Sequence, residues 1–359
     1  MTLAINRSVP LAPRTTLNLG GAASFFAEAA SPSDVTPALQ WAHERDLPTF
    51  VLGGGSNLVV GDAGFSGLVV HLTSAGQDWT DAGDRFTVTV QAGEPWDDVV
   101  AESVRRGLSG IECLSGIPGS AGAAPVQNIG AYGCDVADVV DRVCVLDRKS
   151  LQTADVDGRA CGFSYRDSIF KRDPERFVIL TVTLGFCRNA SPTIRYAELA
   201  TALATHTSPG PAQVREVVLA LRRKKSMVFD PHDENRHSAG SFFTNPIVDA
   251  KTADAIVERA LGSGLVSAPE QVPRYGLSDG RIKLAAGWLI ERSGIRKGFR
   301  MGPMGISTRH ALALVHHGGG TTEDLVRLAL HVRKVVFDQF GVTLAPEPVF
   351  LGVDWPGES

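Results

Sequence analysis

The sequence predicts an α+β protein of two domains, and three observations carry that prediction. Strand-like runs alternate with helical ones through the first half of the chain. A Pro/Ser/Thr-rich stretch, Asn189–Pro211, then interrupts the pattern, and beyond it amphipathic helices dominate. The chain has 359 residues, which at about 150 residues per domain supports two or three domains. The expected boundaries are 17–188 for the first and 210–352 for the second.

The elements follow in order. Ser24–Ala29 reads as a strand, and Ser-Pro-Ser-Asp offers cap and first-turn residues for a helix over Asp34–Arg45. Thr49–Leu52 is a short apolar strand that runs into Gly53-Gly54-Gly55-Ser56-Asn57. Leu68–Leu72 and Phe86–Gln91 read as strands, and Pro95–Arg106 as a helix with Pro in its first turn and Gly107 at its stop. Leu114–Asp135 has no periodicity and is rich in Gly, Ala, Ser and Asn, and a loop of this length inside a compact domain points to function. Strands resume at Arg142–Asp147 and Phe177–Phe186. After the boundary, helices are expected over Ala212–Lys225, Ala250–Leu261, Lys283–Ser293 and Thr322–Phe340. In the last, Leu325, Leu328, Val332, Val335 and Val336 recur at helical spacing and form a core face. A final strand, Val342–Leu351, carries Glu347.

Composition narrows the classes. Hydrophobic residues make up 43% and charged residues 21%, ample for buried cores. Thirty-five Lys and Arg against 39 Asp and Glu give a net charge of −4, which is no footprint for nucleic acid or an anionic membrane. Five cysteines (Cys113, Cys134, Cys144, Cys161, Cys187) without a CxxC pair argue against a disulfide framework or a zinc site and fit a reducing compartment. MTLAINRSVPLAPRTTL lacks an apolar signal-peptide core, and no run reaches 18 apolar residues, so a cytoplasmic protein is expected.

Glycine is the outlier at 38 residues, and it clusters. Three consecutive glycines at Gly53–Gly55 remove every β-carbon, so main-chain N–H groups can turn onto an anion, with Ser56 and Asn57 adding donors. A plain tight turn is the competing reading. The pattern is neither GxGxxG nor GxxxxGK, so a phosphate-bearing ligand would be held by another fold. Gly116–Gly133 is stiff and poor in side chains, with Ser120, Gln127, Asn128 and Tyr132 as its polar features. It suits a large flat ligand, against the alternative of a loop packed under its neighbours. Arg166 lies among aromatics in FSYRDSIFK and is equally readable as a surface arginine. Ser241 follows Gly240 without a GxSxG elbow, which leaves a hydrolase with only the nearby His232 and His237 to support it. Glu347, between prolines on an apolar strand, needs a partner such as Arg166. His316 and His317 precede three glycines without carboxylate or Cys companions and read as a loop or surface feature, not a metal site.

Six segments, GGGSNLVVGD, GIPGSAGAAPVQNIGAYG, YRDSIFK, GSFFTNP, KLAAGWLIERSG and LAPEPVFLG, stand in an order that resembles the UDP-N-acetylenolpyruvoylglucosamine reductase family from about Thr16 to Gly352. The resemblance implies an FAD-binding fold of the vanillyl-alcohol-oxidase (PCMH) type over 17–188. It implies a C-terminal α+β substrate-binding domain of the MurB type over 210–352. The implied activity is an oxidoreductase of peptidoglycan synthesis: NADPH reduces UDP-N-acetylglucosamine enolpyruvate to UDP-N-acetylmuramate by hydride transfer through FAD.

The resemblance also assigns residues. Gly53, Gly54, Gly55, Ser56, Asn57 and Leu58 face the cofactor pyrophosphate, and Gly119, Ser120, Gln127, Asn128, Gly130 and Ala131 line the flavin. Arg166, Ser241 and Glu347 match the catalytic trio, with Ser241 as proton donor to carbon. Tyr196, Lys225 and Asn245 match substrate-nucleotide contacts. The chain departs at Arg-Arg-Lys-Lys-Ser-Met-Val-Phe-Asp-Pro, where many relatives have a shorter Lys-Leu-Pro-Asp-Pro; Lys224 and Lys225 therefore compete, and spacing from Arg222 favours Lys225. Neither His nor Cys occurs in Gly53–Asp62, so FAD is expected to be noncovalent. The expected partners are NADPH and the UDP-sugar enolpyruvyl ether alone, with no nucleic acid, membrane or metal, and the expected state is a monomer. An oxygen-using oxidase on the same fold would keep the first half but not GSFF or the Glu347 motif.

Overall fold

Residues 68–70, Leu-Val-Val, are buried without alternation, as in a strand covered on both faces. They lie in Phe65–Leu72, which pairs in parallel with Ala22–Ala29 on one side and Thr49–Leu52 on the other. Ile5–Pro10 adds an antiparallel edge to this four-stranded sheet. The Val35–His43 helix buries Val35, Ala38, Leu39 and Ala42 against Ala27, Ala29, Leu68 and Val70. The structure, a computed structural model, describes residues 3–357.

A second sheet of five antiparallel strands runs in the order Thr153–Asp157, Val140–Asp147, Phe177–Cys187, Arg85–Gln91, Gln77–Asp81. Arg85–Gln91 alternates, with Val88 and Val90 buried. These meet Val143, Val182 and Leu184, together with Trp96, Val99 and Val100 of the Trp96–Arg105 helix and Val214, Val218 and Leu221 of the Pro211–Lys224 helix. Both sheets belong to one compact unit, made of the residues up to Pro10, Ala22–Gly55 and Phe65–Phe229. The expected break at Asn189–Pro211 is therefore displaced. The chain leaves this unit at Phe229, because the Pro211–Lys224 helix buries its apolar face in the first core.

The second unit comprises Leu11–Gly21, Ser56–Gly64 and the residues from Asp230 on. Two pieces of the expected first domain thus fold with it: Leu17, Leu19 and Val59 share a core with Leu325, Leu328, Val332 and Phe340. The Thr322–Phe340 helix is the centre of this unit, capped by Thr321 through Asp324 N and by Asp62, whose carboxylate accepts from Thr322 N (2.8 Å) and Glu323 N (3.1 Å). Small sheets surround it: Ile247–Val248, Ile282–Leu284 and Arg274–Gly276; Arg300–Met301, Met304–Ile306 and Leu314–His316; and a parallel pair, Leu58–Val60 with Val349–Leu351.

Two further expectations are corrected. The helix expected over Lys283–Ser293 is Ala286–Arg292, since Lys283 lies inside the Ile282–Leu284 strand. The final strand is only Val349–Leu351, so Glu347 stands outside it. Pro346 and Pro348 lack N–H groups, and a ladder cannot run through them.

Candidate active site

The two glycine clusters meet within the first unit. A β-carbon on Gly54 would lie 2.7 Å from Gly119 Cα, and one on Gly53 would lie 2.5 Å from Ser120 Oγ. Gly55 is left-handed (φ 61°). The facing loop is pinned to residues 92–96: Trp96 N donates to Gly119 O (3.0 Å), Ala121 N to Glu94 O (2.8 Å) and Gly122 N to Ala92 O (2.8 Å). Ser120 is buried, and Gln127 and Ala131 are half-buried. A turn without side chains presents main-chain N–H groups, which is the chemistry a pyrophosphate needs. Several glycines in this loop also answer to neighbours in the protein. A β-carbon on Gly116 would run into Leu219 and Val228, one on Gly122 into Ala92, and one on Gly130 into the Asp135 carboxylate. Close packing therefore accounts for part of the glycine excess that the sequence ascribes to a ligand.

Asn128 is buried and left-handed (φ 46°). Its Nδ2 donates to Ser164 O (2.9 Å) and its Oδ1 accepts from Ala137 N (3.1 Å), which ties the loop to the segment that bears Arg166. Arg166 sits at a left-handed position (φ 55°) in a turn closed by reciprocal bonds between Ser164 and Asp167 (3.0 and 3.2 Å). That conformation costs an L-residue about 1 to 2 kcal/mol, and the surroundings fix it. Arg166 Nη1 donates to Asn128 O (3.3 Å) and Nη2 to Gly130 O (2.7 Å), while Lys171 Nζ donates to Arg166 O (3.0 Å). Arg166 is thus bonded to the Gly116–Gly133 loop through the Asn128 and Gly130 carbonyls.

Gly130–Ala131 and Cys134–Asp135 form a two-residue hairpin whose turn, Tyr132-Gly133, has positive φ at both positions (51° and 85°). The Tyr132 ring meets the Tyr196 ring edge-on at 5.5 Å, and Lys225 Nζ lies 5.8 Å from the Tyr132 ring. Lys225 Nζ is also 2.5 Å from Glu198 Oε2. Two predicted nucleotide contacts, Tyr196 and Lys225, are therefore neighbours through Tyr132. Lys224 is exposed at the end of its helix. Asp97 accepts from Gly116 N (2.6 Å) and from both Arg215 guanidinium nitrogens (2.6 and 2.8 Å). Burial alone would raise its carboxyl, but these bonds hold it below the usual carboxylate range.

In the second unit, the Ser241–Thr244 segment lies between two others. Phe242 N donates to Leu312 O (2.8 Å), Glu347 N to Phe242 O (2.8 Å) and Thr244 N to Ala345 O (3.0 Å). Phe243 and Pro346 form an isolated antiparallel bridge. This register brings Ser241 and Glu347 onto adjoining backbone. Asn57 Nδ2 donates to Glu347 O (3.2 Å), and Val349 N donates to Asn57 O (3.0 Å). Ser56 O accepts from Thr16 Oγ1 (3.4 Å), and Leu58 is buried in the parallel strand pair. Of the six residues expected at the pyrophosphate, the last three thus build the second unit. Asn245 Oδ1 accepts from Ala286 N (2.9 Å), which starts the Ala286–Arg292 helix.

Ser241 does have a histidine partner, but it is neither His232 nor His237. Ser241 Oγ lies 3.2 Å from His310 Nε2. His237 Nδ1 is instead 3.3 Å from Thr16 O. The sequence gives no local sign of the His310 contact, because the two residues are 69 apart. The surface reading of His316 is corrected: it is buried at the end of a strand, with Nε2 accepting from Gly320 N (3.2 Å) and Nδ1 3.1 Å from Leu17 O. All five cysteines are free. Among the described residues, no group of His, Cys, Asp and Glu is arranged to hold a metal ion, and no helix is long and apolar enough to cross a membrane.

Comparisons with known proteins divide the chain at a similar place in its second half. Residues 23–152 match an FAD-binding domain family, and residues 230–351 match the C-terminal domain of UDP-N-acetylenolpyruvoylglucosamine reductase. The UDP-N-acetylenolpyruvoylglucosamine reductase of Thermobifida fusca (strain YX) is 47% identical over 358 residues, covering 98% of this chain and 99% of the relative. The enzyme of that name from Streptomyces avermitilis is 46% identical over 96% of this chain and 94% of its own. The crystal structure of UDP-N-acetylenolpyruvylglucosamine reductase (MurB) from Thermus caldophilus superposes with a TM-score of 0.66 at 25% identity, covering 97% of this chain and 99% of that one. With near-complete coverage at this identity, the chain belongs to the UDP-N-acetylenolpyruvoylglucosamine reductase family.

Proposed function

We propose that this protein is an NADPH-dependent UDP-N-acetylenolpyruvoylglucosamine reductase that uses noncovalent FAD and acts as a cytoplasmic monomer in peptidoglycan synthesis. The observation that carries the reading is the backbone register at Phe242–Glu347, which gathers Ser241 and Glu347 in a unit matching the family's C-terminal domain. Family membership supports the activity, the FAD and the reductant.

FAD, when bound, supplies the hydride relay between NADPH and the enolpyruvyl ether. The main chain of Gly53–Gly55 binds its pyrophosphate, with Ser56, Asn57 and Leu58 completing the motif. Gly119, Ser120, Gln127, Asn128, Gly130 and Ala131 shape the wall for the ring system, with the Asn128 carboxamide holding that wall to Ser164 and Ala137. Arg166, a permanent cation with a forked donor face, binds the substrate carboxylate as charge develops beside it. Glu347 orients that group, and Ser241 delivers the final proton to carbon. Tyr196, Lys225 and Asn245 hold the uridine nucleotide. The residues proposed at the cofactor lie within the matched range 23–152, and Ser241, Asn245 and Glu347 lie within 230–351, while Arg166, Tyr196 and Lys225 fall between the two.

The test is a visible spectrum of the purified protein, bleached by NADPH and recovered by the UDP-sugar enolpyruvyl ether under anaerobic conditions. Ser241→Ala is expected to bleach at the normal rate and to recover about 100-fold or more slowly, the range for losing a positioned acid. Equal loss in both halves would exclude the proton-donor role. Flavin that stays with the precipitate after heating would exclude noncovalent binding, and light scattering at the dimer mass would exclude the monomer.

A further inference from the structure

We infer that His310 is the positioning residue for Ser241: its Nε2–H donates to Ser241 Oγ and so aims the hydroxyl proton away from the imidazole. The inference rests on the reductase reading above and adds a residue to it. The geometric basis is the 3.2 Å contact between Ser241 Oγ and His310 Nε2. Both ends of that contact are held. Ser241 precedes Phe242, whose N–H is bonded to Leu312 O (2.8 Å), only two residues beyond His310. The His310 turn is built around Ser307, which is fully buried and whose Oγ accepts from Arg309 N (3.1 Å) and His310 N (3.2 Å). Ala313 N donates to His310 O (3.1 Å) and Ser307 N to Ala313 O (2.9 Å). Buried Asn235 closes the other side, accepting from Thr308 N (3.0 Å) and donating to Thr308 Oγ1 (3.0 Å). A turn anchored this densely fixes where an imidazole can point.

Chemistry selects the direction of the bond. An imidazole that accepts from a serine hydroxyl prepares a nucleophile, as in hydrolases. An imidazole that donates leaves the hydroxyl proton free to depart and stabilises the oxygen left behind. In the step required here the Ser241 O–H bond breaks and a C–H bond forms at the substrate carbanion. The electron pair stays on Oγ, and His310 Nε2–H holds that alkoxide until a solvent proton restores the hydroxyl. A serine is a weak acid, and a donor beside its oxygen lowers the cost of releasing the proton.

The test uses the holoenzyme and two variants, His310→Ala and His310→Gln, with single-turnover recovery of NADPH-bleached flavin by the UDP-sugar enolpyruvyl ether. His310→Ala is expected to lower the limiting recovery rate about 100-fold, with the half-saturating substrate concentration and the NADPH bleaching rate unchanged. His310→Gln, whose amide N–H can donate in the same direction, is expected to restore the rate to within about tenfold of wild type. Independently of turnover, the imidazole 15N shifts of His310 in the wild-type protein are expected to show Nε2 protonated. A pyridine-like Nε2, an unchanged rate in His310→Ala, or a His310→Gln as slow as His310→Ala with a native melting temperature would each overturn the inference. If His310→Ala does not fold, the glutamine variant and the 15N shifts still decide it. Wild-type protein that bleaches and recovers normally while these arms fail defeats the role of His310 alone; wild-type protein that does neither defeats the reductase reading and this inference with it.

Discussion

Asn57 holds Glu347 in place through its side chain: Nδ2 donates to the Glu347 carbonyl at 3.2 Å, while the Asn57 carbonyl accepts from Val349 N at 3.0 Å. The residue therefore links a motif expected at the cofactor to the loop that bears a proposed catalytic carboxylate. Asn57→Ala removes this side-chain bond, worth about 1 kcal/mol. The expected result is a recovery rate about fivefold lower in the substrate-driven half-reaction, with NADPH bleaching less affected. Stopped-flow traces in which bleaching suffers more than recovery would assign Asn57 to the cofactor alone.

Gly54 tests whether the two glycine clusters need their close approach. An alanine β-carbon there would stand 2.7 Å from Gly119 Cα and 3.1 Å from its carbonyl carbon, and backbone cannot step aside as a side chain can. Overpacking of this kind costs about 1 to 3 kcal/mol. Gly54→Ala is expected to melt earlier and to purify with less FAD, read as the flavin-to-protein absorbance ratio. Gly262→Ala, at a helix end with open space around it, is the control and should keep its flavin. Full flavin content in Gly54→Ala would show that the contact has room to spare.

Lys225 is paired with Glu198 at 2.5 Å, so a phosphate that takes the ammonium must compete with that carboxylate. Charge-assisted bonds of this kind are strong, and about 1.4 kcal/mol is a tenfold change in affinity. Lys225→Ala is expected to weaken UDP binding about tenfold or more. Glu198→Gln is expected to strengthen it, because the competitor loses its charge, and exposed Lys224→Ala should change little. Calorimetric titration with UDP checks all three. Weaker binding in Glu198→Gln would mean that the carboxylate positions Lys225 instead of competing for it.

Much of this fold is legible where a repeating pattern is long. Thr322–Phe340 shows its helical spacing in the sequence, and its bounds are as expected. The polar strands Ile5–Pro10, Gln77–Asp81 and Thr153–Asp157 are invisible, because each is a sheet edge that buries too little to need alternation. The unit boundary is misplaced because composition marks Asn189–Pro211 as loop-like, whereas the core face of Pro211–Lys224 decides where that helix packs. At the candidate site, glycine clusters and ordered motifs point to Gly53–Gly55, Asn128, Arg166, Ser241 and Glu347. His310 is missed because only tertiary folding brings it to Ser241. The joint role of residues 56–64, motif in sequence and second-unit scaffold in space, is hidden for the same reason.

Tyr132 offers a spectroscopic check on the cluster around Lys225. Burial pushes its phenol up to about 12, with the nearby Glu198 and Tyr196 adding to the rise and the Arg222 guanidinium opposing it. The sign follows from which form burial disfavours. Between about pH 10, where an unfolded tyrosine ionises, and pH 12, the folded Tyr132 keeps its proton while an unfolded one would release it. Its contribution to stability is therefore complete below the lower value and is lost as pH rises through the upper one. Tyr132 is one of four tyrosines, and its share of the rise in tyrosinate absorbance should appear as a step near pH 12. Tyr132→Phe should remove that late step. A late step that persists in the phenylalanine variant would place the buried phenol elsewhere, and with it the packing of Tyr132 between Tyr196 and Lys225.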